Sequence, residues 1–126
     1  MSDRKKDCAC EGGVKLIFPC SGAADVGEIS DRAARTMTAQ GHGKMFCLAG
    51  IGGNISGMID SVKGADRLLV IDGCGLDCAK KTMEERGIED FFHFRVTDLG
   101  MEKSKSPATQ ERIESVAQKG KELLLN

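Results

Sequence analysis

The stretch Arg67-Leu68-Leu69-Val70-Ile71-Asp72 is the clearest structural element of the chain. Its middle is a continuous apolar run, which is typical of a strand buried on both faces of a parallel sheet. The segment Gly73-Cys74-Gly75-Leu76-Asp77-Cys78 follows at once. Glycine allows tight backbone turns, so the sequence predicts a buried strand that ends in a cysteine-bearing loop.

Three further apolar segments predict strands, and the segments between them show helical spacing. The other strands are expected at Val14–Pro19, Lys44–Ala49 and Phe92–Val96, the last with one wetter face that carries His93 and Arg95. The helices are expected at Asp25–Gln40, around Ile55, Met58, Ile59 and Val62, around Leu76, Ala79 and Met83, and from an N-cap and first-turn pair at Ser106-Pro107 through Leu123.

This order alternates strand and helix along the chain, which predicts an α/β fold with helices on both faces of a parallel sheet. We expect one three-layer domain over residues 14–126, with a four-stranded parallel sheet. Analogy with small doubly wound folds gives the strand order 2-1-3-4. Residues 1–13 are expected to form a flexible arm.

The bulk composition excludes several partners. The 18 basic and 19 acidic residues give a formal net charge of -1, and the basic cluster Arg4-Lys5-Lys6 is expected to be a solvated tail, so nothing indicates nucleic acid. No apolar run approaches the roughly 18 residues that a membrane span needs. The charged first ten residues lack the apolar core of a secretory signal. A chain that starts at its native Met1 is therefore expected in the reducing cytoplasm.

The six cysteines need an explanation in such a compartment. Metal binding or thiol chemistry is expected there rather than a disulfide framework, and the alternative is that free cysteines are small buried hydrophobes. Cys20 directly follows strand one, Cys47 lies late in strand two, and Cys74 and Cys78 follow strand three. The carboxyl ends of parallel strands share one edge, where ligands bind. Four cysteines are therefore expected to converge there.

The surroundings of these cysteines favour thiolates, the form that binds metal, because helix N-termini lower thiol pKa values. Cys74 and Cys78 would share one helix face at i, i+4 spacing. Four thiolates would complete a tetrahedral zinc site. Cys47 is the doubtful ligand because strand alternation could turn it into the core. His42 would then be a substitute ligand, although a turn residue is the simpler interpretation, and His93 is expected to face a helix or solvent.

Three segments together resemble the DGC-domain family of bacterial and archaeal zinc-binding proteins, named for an Asp-Gly-Cys motif. They are Phe18-Pro19-Cys20-Ser21-Gly22, Lys44–Gly53, and Ile71–Ala79, the last of which contains Asp72-Gly73-Cys74. The resemblance covers the chain from about Lys15 to Arg86. It implies zinc bound by Cys20, Cys47, Cys74 and Cys78, and it implies no particular reaction.

The chain is thus predicted to be a zinc-binding protein that handles metal or senses redox state. The alternative is a thiol-dependent oxidoreductase that uses Cys74, with Cys78, Cys20 or Cys47 as the resolving cysteine. Four cysteine thiolates would also suit an iron–sulfur cluster. A metal carrier is a further possibility, in which Cys8 and Cys10 pass a soft ion inward; otherwise these two residues belong to an inert tail.

Overall fold

A computed structural model describes residues 13–126. Four strands form one all-parallel sheet: β1 (Lys15–Pro19), β2 (Lys44–Met45), β3 (Arg67–Asp72) and β4 (Phe92–Arg95). Their spatial order is β2-β1-β3-β4, which confirms the predicted fold class and strand order. The predicted arm, with Cys8 and Cys10, lies outside the described residues apart from Gly13.

Helices connect these strands and cover the sheet. They are α1 (Asp25–Ala39), α2 (Leu48–Gly52), α3 (Ser56–Lys63), α4 (Cys78–Glu85) and α5 (Gln110–Leu125), and a short 3-10 helix spans Val96–Leu99 after β4. No helix within residues 13–126 has the length and apolar character needed to cross a membrane.

Alternating residues of the central strands supply two separate hydrophobic cores. Ile17, Leu69 and Ile71 pack with apolar residues of α1 and α5 on one face of the sheet. Leu16, Phe18, Leu68 and Val70 pack with residues of α2, α3 and α4 on the other face. Burial on both faces explains why β1 and β3 are continuous apolar runs rather than alternating ones.

The second strand is much shorter than the sequence suggested. The prediction of a strand over Lys44–Ala49 is wrong, because β2 ends at Met45 and α2 begins at Leu48. The α2 helix buries Ile51, and Arg86 donates hydrogen bonds to the carbonyls of Ile51 and Gly52 at 3.1 and 2.6 Å. A five-residue helix is too short to show helical periodicity, so its apolar residues resembled a strand.

The last helix also begins later than predicted. Its N-cap is Thr109, whose side chain accepts a hydrogen bond from the backbone N–H of Arg112 at 3.3 Å, so the predicted cap at Ser106 is wrong. Ser106 is instead held in the preceding loop. Its backbone N–H donates to the Asp25 carboxylate at 2.9 Å, and its hydroxyl accepts from the backbone N–H of Glu102 at 2.8 Å.

Candidate metal centre

Four free cysteines follow the ends of three adjacent strands. Cys20 follows β1, Cys74 lies two residues beyond β3, Cys47 is the N-cap of α2, and Cys78 is the first residue of α4. Cys20 and Cys74 are half-buried, whereas Cys47 and Cys78 are exposed. Cys47 therefore does not turn into the core, because the strand that would have carried it has already ended.

Cys20 lies next to the loop after β3. Its backbone N–H donates to the Ile71 carbonyl at 2.7 Å, which continues the pairing of β1 with β3 past the last strand residue. Burial is the main cause that raises the pKa of the Cys20 thiol, against a hydrogen bond from the Gly73 backbone N–H that lowers this pKa. The negative charge of Asp72, and that of Cys78 and Cys74 when they are ionised, raises the Cys20 pKa further.

The loop between β3 and α4 is not helical. Cys74 precedes the helix, Asp77 is its N-cap, and Asp77 has a left-handed backbone with φ of 55°. The prediction that Cys74 and Cys78 share one helix face is therefore wrong. Leu76, expected on the buried face of that helix, is 58% exposed for the same reason.

Gly73 lies so close to α1 that a side chain at this position would be crowded. A Cβ atom at this position would lie 3.1 Å from the backbone nitrogen of Gly27 and from the carbonyl carbon of Val26, both in the first turn of α1. Such distances are tighter than ordinary van der Waals contact, and backbone atoms cannot move aside as a flexible side chain can. The glycine of the Asp-Gly-Cys motif thus allows the cysteine loop to pass directly over the start of α1.

Asp72 performs the capping that Asp77 does not. The Asp77 side chain makes no capping hydrogen bond. Asp72 accepts from the backbone N–H groups of Ala79 at 2.7 Å and Lys80 at 3.0 Å, the second and third residues of α4. These are the donors that an N-cap side chain normally satisfies. The buried carboxylate at the end of β3 therefore fixes the helix that begins with Cys78.

Two residues of β4 contact Asp72 and Asp77, and their roles were not predicted from the sequence. His93 Nε2 lies 2.9 Å from Asp72 Oδ2 and 3.7 Å from Asp77 Oδ1, so His93 faces this network rather than a helix. Arg95 donates to both carboxylate oxygens of Asp77, from Nε and from Nη2, each at 2.7 Å. The only sequence signal was that both residues lie on the wetter face of strand four, beside the strand that carries Asp72.

Arg95 also controls the charge of its partner. Its hydrogen bonds and positive charge hold the pKa of Asp77 below the ordinary aspartate range, and Asp77 in turn raises the pKa of the Arg95 guanidinium. Both side chains are therefore ionised at neutral pH. The pair is a charge-assisted, two-pronged hydrogen bond, the strongest type of side-chain pairing.

Within residues 13–126, the Asp72, Asp77 and His93 donor atoms form a group that lies within 4.8 Å of one another. No three sulfurs of Cys20, Cys47, Cys74 and Cys78 are that close in this part of the chain. The carboxylates, however, already accept from the α4 backbone and from Arg95. Their oxygens are used within the protein, so the donor set left for a soft metal is the cysteines.

His42 lies at the other edge of the sheet. It follows α1 and precedes β2, so it stands at the amino ends of the strands, and its backbone N–H donates to the Met37 carbonyl at 2.9 Å. The cysteines follow the carboxyl ends. His42 is therefore a turn residue and is not positioned to replace Cys47.

A cavity of about 400 Å³ opens beside Cys47. Pro19, Phe46 and Leu48 contribute to its walls, together with Ser21 next to Cys20 and Thr82 one turn beyond Cys78. The exposed Cys47 is thus part of the wall of an open, largely apolar depression at the cysteine edge of the sheet.

Sequence comparison relates the chain to known proteins. The family model of the DGC domain matches residues 16–119. The chain is also similar to the anaerobic and virulence modulator AnvM of Pseudomonas aeruginosa, with 25% identity over 88 residues, which are 70% of this chain and 67% of that protein. No solved structure matches the chain. The matched segment includes Asp72-Gly73-Cys74 and all four cysteines of the sheet edge, and the chain belongs to the DGC-domain family.

Proposed function

We propose that the protein binds one zinc ion through Cys20, Cys47, Cys74 and Cys78 at the carboxyl edge of its sheet. The observation that carries this proposal is that the four free thiols follow β2, β1 and β3, which are adjacent and parallel. Segments that leave adjacent parallel strands on one edge are where α/β proteins assemble ligand sites.

The chemistry of the donor set fits zinc. Four thiolates around Zn²⁺ form a tetrahedral site with zinc–sulfur distances of about 2.3 Å. No three of the sulfurs of the described chain lie within 4.8 Å of one another, so binding requires them to draw together. That movement would involve loop and helix-terminal residues and would leave the sheet in place, because all four cysteines lie beyond the strands.

Metal analysis of protein purified without a histidine tag tests the ligand set. We expect one zinc per chain in colourless wild-type protein, and cobalt substitution should give a thiolate charge-transfer band. Cys74→Ser should lose the metal while the far-UV circular dichroism spectrum is retained, because buried apolar residues form both cores and Cys74 is only a partly buried residue packed against one of them. The double variant Cys8→Ser/Cys10→Ser is the matched control and should keep its zinc.

Other outcomes identify the competing functions. A coloured protein that contains iron would indicate an iron–sulfur cluster and would contradict the zinc proposal. A metal-free protein with dithiol-dependent turnover would indicate a thiol oxidoreductase. The backbone hydrogen bond from Cys20 to the Ile71 carbonyl places Cys20 beside the loop that carries Cys74 and Cys78, which supports that second candidate, because a resolving thiol must lie near the reactive one.

We further propose that the site exchanges metal or responds to oxidation, and that it is not a structural site that only stabilises the fold. Cys47 and Cys78 are exposed, and the cavity reaches Cys47. A peroxide could therefore oxidise two thiolates to a disulfide. The sulfurs would lose two electrons, the peroxide O–O bond would break, two protons would be taken up to give two waters, and zinc would be released. AnvM is described as an anaerobic modulator, which is compatible with a redox-responsive relative.

A zinc-release assay tests this second part. Stepwise addition of peroxide should release zinc in proportion to thiol loss, and a dithiol reductant should restore binding. A competing chelator should also remove the ion without unfolding the protein. Zinc that stays bound under both treatments would show a structural staple and contradict the exchange proposal.

A further inference from the structure

The cysteine loop between β3 and α4 adopts a backbone conformation that needs support. Asp77 has φ of 55° and ψ of 43°, in the left-handed region that a non-glycine residue rarely occupies. Such conformations persist only where surrounding contacts hold them. Asp77 immediately precedes Cys78, so whatever holds Asp77 also sets the position of that thiol.

Strand β4 supplies the support. Arg95 donates hydrogen bonds to both carboxylate oxygens of Asp77, each at 2.7 Å, and the Asp77 side chain is 12% exposed. Two parallel hydrogen bonds fix both the position and the orientation of the carboxylate. The neighbouring Asp98 carboxylate accepts from the Arg95 backbone N–H at 3.0 Å, which anchors the strand end that carries the arginine.

His93 secures the other end of the loop. Its Nε2 contacts Asp72, which is 1% exposed, at 2.9 Å, and Asp72 caps α4. The loop between Asp72 and Cys78 is thus held at both ends by side chains of one strand. None of these four residues is a cysteine, so the arrangement is separate from the metal ligands themselves.

We propose that Arg95 and His93 are positioning residues, a clasp on β4 that holds the Cys74–Cys78 loop in the geometry from which its two thiols bind metal. This inference rests on the proposed zinc site. Residues that hydrogen-bond directly to metal ligands typically contribute about 10- to 100-fold to metal affinity. Arg95 and His93 act on the cysteines through Asp77 and Asp72, and we expect an effect of the same order. The clasp therefore sets how readily the loop releases its ion.

Zinc affinity measured with a competing chelator tests the clasp. Arg95→Met keeps the length of the side chain and removes the two-pronged contact, and we expect about 10- to 100-fold weaker binding. Arg95→Lys keeps the positive charge but cannot donate two parallel hydrogen bonds to Asp77, so it should give an intermediate loss of zinc affinity. Arg32→Met is the matched control, because Arg32 makes only an exposed ion pair with Glu28 in α1, and its affinity should equal that of the wild type.

Asp77→Gly separates the clasp from simple backbone strain. Glycine adopts φ near 55° without cost, so this variant relieves the strain but also removes the carboxylate. We expect its zinc affinity to fall as far as that of Arg95→Met, because relief of strain does not replace the lost contact with Arg95. Wild-type affinity in Asp77→Gly, or a change below about twofold in Arg95→Met, would overturn the inference.

Amide hydrogen exchange of the reduced, metal-free protein provides a test that does not involve zinc. Arg95→Met should speed exchange across residues 73–80 by about fivefold or more relative to wild type, and Arg32→Met should not. If the wild type binds no zinc, the proposed function is refuted, and this arm alone decides whether Arg95 positions the loop. Equal exchange in all three proteins would refute the clasp.

Discussion

Replacing Asp72 should destabilise the protein more than the loss of a single hydrogen bond would suggest. Its buried carboxylate accepts from the backbone N–H groups of Ala79 and Lys80 and contacts the ring of His93, at distances between 2.7 and 3.0 Å. Asp72→Ala removes all three contacts at once. The two helix donors lie at the start of α4, where no other side chain of the described residues caps them.

The magnitude follows from two separate effects. Loss of an N-cap acceptor costs about 0.5–2 kcal/mol of folding free energy. Leaving a buried polar partner without its hydrogen bond costs about 1–3 kcal/mol more. Together these give an expected loss of about 1.5–5 kcal/mol for Asp72→Ala. Asp72→Asn keeps an acceptor but loses the charge, so it should lose about half as much, because charge-assisted hydrogen bonds are roughly twice as strong as neutral ones.

Urea unfolding followed by far-UV circular dichroism measures this loss, since the chain has no Trp or Tyr to report by fluorescence. Reduced, metal-free protein should be used so that loss of a bound ion does not add to the effect. With a slope of about 2 kcal/mol per molar urea, the midpoint for Asp72→Ala should fall by about 1–2.5 M. Glu28→Ala is the control, because Glu28 forms an exposed ion pair with Arg32 and its loss should cost about 0.5 kcal/mol. Equal losses in Asp72→Ala and Glu28→Ala would refute the capping role.

Two further predictions concern stability. Gly73→Ala should cost about 1–3 kcal/mol of folding free energy, since its Cβ would press against the backbone of α1. The Cβ of Gly75→Ala meets no atom within 4 Å, so this variant should leave the thermal midpoint nearly unchanged. Similar midpoints for both variants would contradict the close approach of Gly73 to α1. Asp25 accepts from the backbone N–H groups of Ser104 and Ser106, which lower its pKa. A pKa that is lower in the folded than in the unfolded state adds stability above the ordinary aspartate pKa, and this stability is lost as the pH falls through the folded pKa. The difference in urea midpoint between wild type and Asp25→Asn should therefore be widest near neutral pH and should narrow below about pH 4. A difference that does not change with pH would contradict this.

The sequence alone predicted four parallel strands because the signals for strands and helices are local, whereas the strand order came from analogy with small doubly wound folds. The run Leu68–Ile71 requires burial on both faces, and β3 is indeed covered on both. Alternation of strands and helices forces parallel crossovers, and these bring the ends of successive strands to one edge. Cys20 and Cys74 follow their strands directly, so their arrival at that edge was predictable without coordinates.

Segment boundaries were less predictable, since tertiary contacts decide them. The stretch after Met45 has apolar residues that suit a strand or a buried helical turn equally well. It forms α2 because Ile51 packs into the core and Arg86, distant in sequence, caps its end. Cys47 was predicted late in strand two, and it is instead the exposed N-cap of α2.

The support of the cysteine loop was determined only by the folded structure. A helix N-terminus needs hydrogen-bond acceptors, but the requirement can be met by any carboxylate that the fold brings near. Here Asp77 stands at the N-cap in sequence, yet Asp72 caps the helix and Asp77 turns to Arg95. The sequence therefore determined which residues reach the carboxyl edge, whereas the spatial neighbours of β3 and β4 decided how those residues pair, because hydrogen bonds between side chains depend on distance in space and not along the chain.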